Sequence, residues 1–167
     1  MRVMGIDPGS TCTGYGIVDE NNRQLKVVSW GGIQCSPKQA FPERLKRIYD
    51  ELMRIMDEFS PDSVAIESLF FATNAQSTLK LGQARGVSLL AAVNSNKPIA
   101  EYSPLEVKQS VVGYGRAEKE QVRAMVTALL KLKEKPEPLD ASDALAIAIC
   151  HIHMAKTKAL LQLRGNG

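Results

Sequence analysis

Four acidic residues stand where separate pieces of one α/β sheet can bring them together: Asp7, Glu67, Asp140 and Asp143. Asp7 closes the apolar run Arg2-Val-Met-Gly-Ile-Asp7 and is followed at once by Pro8-Gly9-Ser10. Glu67 closes a second run, Ser63-Val-Ala-Ile-Glu67. Asp140 and Asp143 head the apolar stretch Asp140-Ala-Ser-Asp-Ala-Leu-Ala-Ile-Ala-Ile149, and their spacing of three puts both on one helix face. Strand ends and helix starts are where α/β folds hold their chemistry. Acids gathered there repel one another, and their hard oxygens suit Mg²⁺. Two-metal phosphodiester chemistry needs such carboxylates around ions about 3.5–4 Å apart. One ion would activate a water and the other would stabilise the leaving 3′ oxygen. Four carboxylates balance the formal charge of two Mg²⁺, so an occupied site is neutral before a phosphate arrives.

Each acid also has a plainer reading. Asp140 and Asp143 suit the positive end of a helix. Asp7 can be a turn residue ahead of Pro8-Gly9, and Glu67 an acid on an edge strand. The joint placement is what favours a site: both strand acids end runs that look buried.

The elements that must position these acids are legible. Residues 2–7, Gly14–Asp19 and 24–34 read as three hairpin-linked strands, with a turn at Asn21-Asn22. Phe41-Pro42 opens a helix whose Leu45, Ile48, Leu52, Ile55, Met56 and Phe59 follow helical spacing, and Pro61 stops it. Strand 63–67 follows, then a loop from Ser68 to Thr73. Asn74 is placed to cap a helix running to about Val93, rich in small residues. Pro98–Tyr102 is a fifth strand. Ser103-Pro-Leu-Glu106 is a capping box with Pro at the first helical position. Gly113-Tyr-Gly115 breaks the chain before a helix over 118–132, which carries Val122, Met125, Val126, Leu129 and Leu132. A charged linker ending at Pro138 leads to a last helix from about Asp140 to Lys156, with the final residues frayed. The expected fold is α/β: a mixed five-stranded sheet with helices on both faces.

At 167 residues the chain is expected to form one domain that buries roughly two-thirds of its unfolded surface. The net charge of +3 gives mild support for an anionic partner. No run reaches membrane-spanning length, and the start reads as a strand, not a signal peptide. Cys12, Cys35 and Cys150 are odd in number and scattered, which fits a reducing cytoplasm. Cys150, His151 and His153 lack a second ligand pair at zinc spacing, so they read as a packed cysteine and helix-end histidines.

Basic and aromatic residues lie near the acids in sequence. Lys119 and Arg123 are four apart on one helix, Arg116 precedes them, and Lys108 follows the capping box. Alone, such residues read as a solvated basic face. Phe70 and Phe71 follow Glu67 in a loop, where two adjacent aromatics seldom both bury. One of them can stack on an unpaired base, a contact worth about 1–3 kcal/mol.

Taken together, Asp7–Gly16, Ala65-Ile-Glu67 with Phe70, Lys80–Gly86, Val107–Gly113, Ala117-Glu-Lys119 and Asp140–Ile147 resemble the RuvC family of Holliday-junction resolvases. The resemblance implies an RNase H-like fold, a homodimer, and symmetric Mg²⁺-dependent nicking of four-way DNA junctions in recombination and repair, with a modest sequence preference. Its four family acids fall on Asp7, Glu67, Asp140 and Asp143, implying two Mg²⁺ per site with Mn²⁺ as a substitute. Its lysines near the site fall on Lys108 and Lys119, so the latter joins the expected catalytic set. Lys108, Arg116, Lys119 and Arg123 are expected to meet phosphates, Phe70 to act as the stacking aromatic, and Phe71 to pack or add a surface contact. The small-residue helix after Asn74 is expected to meet its counterpart in a second copy. A branch-migration motor of RuvA and RuvB is the further partner that the resemblance implies. Two rival enzyme readings are an RNase H-like nuclease acting on RNA, and an actin- or sugar-kinase-like ATP-binding protein suggested by Asp7-Pro-Gly-Ser-Thr11. The second needs another phosphate loop and usually a second domain. A junction binder without catalysis is a third, opposed by the intact acid set.

Overall fold

The computed structural model describes residues 1–68 and 75–165. Its elements are β1 (Arg2–Asp7), β2 (Cys12–Asn21), β3 (Gln24–Gln34), α1 (Phe41–Phe59), β4 (Ser63–Glu67), α2 (Ala75–Asn94), β5 (Ile99–Tyr102), α3 (Pro104–Val112), α4 (Lys119–Leu129) and α5 (Leu139–Gly165). The sheet order is β3-β2-β1-β4-β5. The two hairpin pairings are antiparallel, while β1–β4 and β4–β5 are parallel. The mixed sheet expected from the sequence is therefore present.

Strand alternation divides the core into two layers. Met4 and Ile6 of β1, with Val64 and Ile66 of β4, pack against Ile48, Leu52, Ile55 and Met56 of α1 and Ala84, Ala91 and Ala92 of α2. On the other face, Val3 and Ala65 pack with Val107 of α3, Val122 and Val126 of α4, and Leu145, Ile147 and Ile149 of α5. Asp7 and Glu67 share the parity of Val3 and Ala65, so they belong to the face that carries α5.

Local signals set most boundaries. Ser60, in the left-handed region at φ 46°, ends α1 just before Pro61. Ser103 and Glu106 form the reciprocal capping box of α3, and Gly113 at φ 95° ends it. Strand β2 runs longer than the sequence reading, because its ladder with β3 continues from Cys12–Gln34 to Asn21–Gln24. Helix α4 is shorter, ending at Leu129 with Leu130 as its cap. Helix α5 runs past Lys156 to Gly165, since neither Gly nor Pro interrupts residues 139–164. The expected cap at Asn74 lies outside the described residues.

Candidate active site

The acids meet at one edge of the sheet because of register and of two close backbone approaches. The parallel pairing Gly5–Ala65 and Ile6–Ile66 brings the next residues, Asp7 and Glu67, side by side at the carboxyl ends of their strands. Asp7 pairs across the other side with Gly14. A Cβ on Gly14 would lie 2.0 Å from the carbonyl oxygen of Asp140, and one on Gly5 would lie 1.9 Å from that of Ala144. Only glycine lets α5 lie this close to β1 and β2. The first turns of α5 therefore carry Asp140 and Asp143 to the strand acids.

The loop after Asp7 is pinned as well. The buried Thr13 hydroxyl donates to the Gly9 carbonyl at 2.7 Å, and its oxygen faces the Gly9 N–H at 3.3 Å. Arg85 of α2 secures the end of β4: its Nε donates to the Glu67 carbonyl at 3.2 Å, and its guanidinium pairs with Glu101. No local pattern marks Arg85 for this role, because its two partners lie sixteen and eighteen residues away. Cys12, one of the three scattered cysteines, lies beside the site: burial and then the nearby Asp140 push its thiol up to about 12.

Burial and mutual charge shift the acids in one direction. Burial, followed by the charges of Glu67, Asp143 and Asp140, raises Asp7 to about 8, against the pull of Lys119. Burial and then Asp143 raise Glu67, with Lys119 and Lys108 opposing. Burial also raises Asp143, against Lys119, whose Nζ donates to its Oδ2 at 3.1 Å. Burial disfavours the Lys119 ammonium, but Asp143, Asp7 and Glu67 outweigh it and its pKa rises. A cavity of about 230 Å³ opens beside them, lined by Glu67, Lys108, Lys119 and Asp143 and by apolar residues including Val107, Val122 and Ile147.

These donors are all hard oxygens gathered with insufficient positive charge, a set whose chemistry fits a hard divalent cation. Among the described residues, no three acidic, cysteine or histidine side chains converge at metal-ligand spacing. Lys119 supplies the positive charge that Asp143 meets directly.

The remaining candidates separate. Lys108 is half-buried and bears on Glu67. Arg116 is exposed ahead of α4. Arg123 does not form an open basic face with Lys119: its Nη2 donates to the Pro136 carbonyl at 2.9 Å and its guanidinium pairs with Glu137. Phe70 and Phe71 lie outside the described residues. His151 lies within α5, not at its end, with its ring against Ser63 and Tyr102, whereas His153 faces Ser110 and Cys150 faces Glu106.

The whole chain has close relatives. The family description Crossover junction endodeoxyribonuclease RuvC matches residues 3–151. The protein of that name from Alkaliphilus oremlandii is 51% identical over 164 residues, covering 98% of this chain and 100% of the relative. The Thermus thermophilus RuvC structure superposes with a TM-score of 0.86 at 37% identity, covering 95% of this chain and 97% of the other. T. thermophilus RuvC in complex with Holliday junction substrate gives 0.89 at 37% identity, covering 95% and 96%. The five-stranded mixed sheet and its two helical layers are the RNase H-like fold. From residue 3 to residue 151 and through the register that gathers its acids, this chain belongs to the RuvC family of crossover junction endodeoxyribonucleases.

Proposed function

We propose that this protein resolves Holliday junctions by paired, symmetric, Mg²⁺-dependent nicks in DNA. The observation that carries the reading is that strand register and the close seating of α5 bring Asp7, Glu67 and Asp143, the last bonded to Lys119, to one end of the sheet, in a chain whose relatives bear the name of that activity. Asp7, Glu67, Asp140 and Asp143 would hold two Mg²⁺, for which Mn²⁺ can substitute. Bound there, the metal supplies Lewis acidity toward the scissile phosphate and an activated water.

The chain's own residues do the rest. Glu67 and Asp7 fix one wall of the site because β4 and β1 are locked in register. Asp140 and Asp143 form the other wall on the rigid start of α5. Lys119, at the N-terminus of α4, holds its ammonium at the carboxylate edge, where it can meet the charge that builds on a phosphate in the transition state. Lys108 and the exposed Arg116 guide the backbone toward that edge. Phe70 follows Glu67 by three residues in the sequence, with Phe71 next to it, and stacking by Phe70 on an unpaired base would hold the crossover open.

Symmetric cutting needs two equivalent sites, which a two-fold homodimer provides. Helix α2 offers the surface. Leu79, Leu90 and Val93 are 68%, 52% and 58% exposed, and Gly86 faces open space. These positions fall at intervals of seven, four and three, the seam of a helix pair. RuvA and RuvB are the partners to expect. Cys12, Cys35 and Cys150 are unpaired, and among the described residues no helix is long and apolar enough to cross a membrane. Membership of a family that acts on DNA supports placement in the cytoplasm with the chromosome.

The test is cleavage of a synthetic mobile four-way junction, with Mg²⁺ and with chelator, beside duplex DNA and structured RNA. Paired nicks in the junction alone, lost on chelation, are expected. Equal cutting of structured RNA, or phosphate transfer from ATP without nicking, would remove the assignment.

A further inference from the structure

We infer that Arg123 is a positioning residue for the two helix-borne acids: it latches the linker ahead of α5 onto α4 and so sets where Asp140 and Asp143 stand. The inference rests on the metal reading above.

The Arg123 side chain is only 15% exposed. It reaches across from α4 to the buried Pro136, whose carbonyl accepts from Nη2 at 2.9 Å, and to the carboxylate of Glu137. Pro138, the next residue, immediately precedes α5: its carbonyl accepts from the backbone N–H of Ala141 at 3.0 Å and of Ser142 at 3.4 Å. Its ring lies over β3, where a Cβ on Gly32 would be 2.7 Å from Pro138 Cγ. The start of α5 is thus seated on the sheet by Gly14 and Gly32 and held from outside by Arg123. Nothing lies between the latch and Asp140 except one turn of backbone.

Two further observations set Arg123 apart from an ordinary surface arginine. Its Nε is buried and has no hydrogen-bond partner among the described residues. A surface side chain would swing to water and avoid that penalty, so packing and the linker contacts hold it in place. The second is a contrast one turn earlier on α4. Lys119 also ties α4 to α5, but through Asp143 itself, and its side chain is 69% exposed. An exposed pair of that kind is a weak restraint. A cation bound by Asp143 would also compete for the same oxygen. The Arg123 contacts use no expected metal ligand, so they persist when the site fills. Residues that orient ligands typically alter metal affinity by 10–100-fold, and a backbone latch acts at the lower end of that range.

The experiment measures Mn²⁺ binding to the free full-length protein by calorimetry, beside junction affinity in chelator and melting temperature. Arg123→Ala should weaken Mn²⁺ binding about tenfold while junction affinity in chelator stays within about twofold. The metal concentration that half-saturates cleavage should rise in step, and excess metal should restore the rate. Arg123→Lys, which keeps charge but cannot span both acceptors, should fall between. Glu137→Gln alters an exposed partner and spares the fold, so it carries the test if Arg123→Ala does not fold; a loss of about twofold to threefold is expected. Unchanged Mn²⁺ affinity with a lower melting temperature would reduce Arg123 to a folding contact. Unchanged Mn²⁺ affinity with weaker, less salt-sensitive junction binding would make it a phosphate contact. Wild-type protein that takes up no Mn²⁺ would overturn the metal reading itself, a result distinct from either.

Discussion

The carbonyl oxygen of Asp140 occupies the space that a side chain on Gly14 would need, 2.0 Å from the Cβ position. Gly14 in turn is the ladder partner of Asp7. One missing methyl group therefore sets how near a helix acid comes to a strand acid. Gly14→Ala should push the start of α5 off the sheet. Overpacking of this kind costs roughly 1–3 kcal/mol. Cleavage should fall by more than about 100-fold, since misplacement by about an ångström is enough for such a loss. Melting and single-turnover cleavage check this, and near wild-type cutting would show that α5 need not lie so close.

The acid cluster should make the metal-free protein less stable as pH rises. Asp7 is raised from 3.8 to about 8 in the folded state, and Glu67 and Asp143 are raised too. The folded state thus binds these protons more tightly than the unfolded chain. The contribution is complete below about pH 4 and is lost progressively up to about pH 8. Denaturant titrations in chelator should show a decline on the order of a few kcal/mol across that window. Asp7→Asn should flatten it, and Mg²⁺ should restore stability at pH 8. The same variant should lose cleavage by at least about 1,000-fold yet still bind junctions, because phosphate contacts are spared. A stability curve that rises through this window would contradict the burial of these acids.

Lys119→Ala separates chemistry from grip. If Lys119 favours the transition state, the single-turnover rate at saturating junction should fall about 10–100-fold with little change in affinity. If it only holds backbone, affinity should drop and its salt dependence should flatten while that rate stays constant. The second pattern would remove Lys119 from the catalytic set.

Phe70 should matter most where bases are still paired. Phe70→Ala should cripple cutting of fully paired junctions and harm mismatched ones less, because unstacking a paired base costs a few kcal/mol. Phe70→Trp should retain more activity than Phe70→Leu, since stacking needs a flat π face. Equal losses on both junctions with a lowered melting temperature would assign Phe70 to packing.

The amino-acid sequence by itself determined the elements and the acid set. The Ser103–Glu106 capping box, the stop at Pro61 and the short apolar runs ending in Asp7 and Glu67 act through neighbours a few residues away. Such short-range sterics and hydrogen bonds can be read from a string of residues. The long reach of α5 to Gly165 goes beyond the end expected near Lys156, although the lack of Gly and Pro over residues 139–164 is a local signal that permits it. Only the tertiary structure decided which side chains those elements bring together. Arg123 shares a helix face with Lys119, yet it turns to Pro136 and Glu137 because the packing of α4 against the linker leaves those acceptors within reach. Arg85 closes on Glu67 and Glu101 across two strands. The proximity of Asp7 and Asp140 depends on a helix lying over Gly5 and Gly14, residues whose lack of a side chain has meaning only once α5 is seated on them. Contacts of that kind are set by how layers pack, and no local pattern encodes which partner each side chain will find.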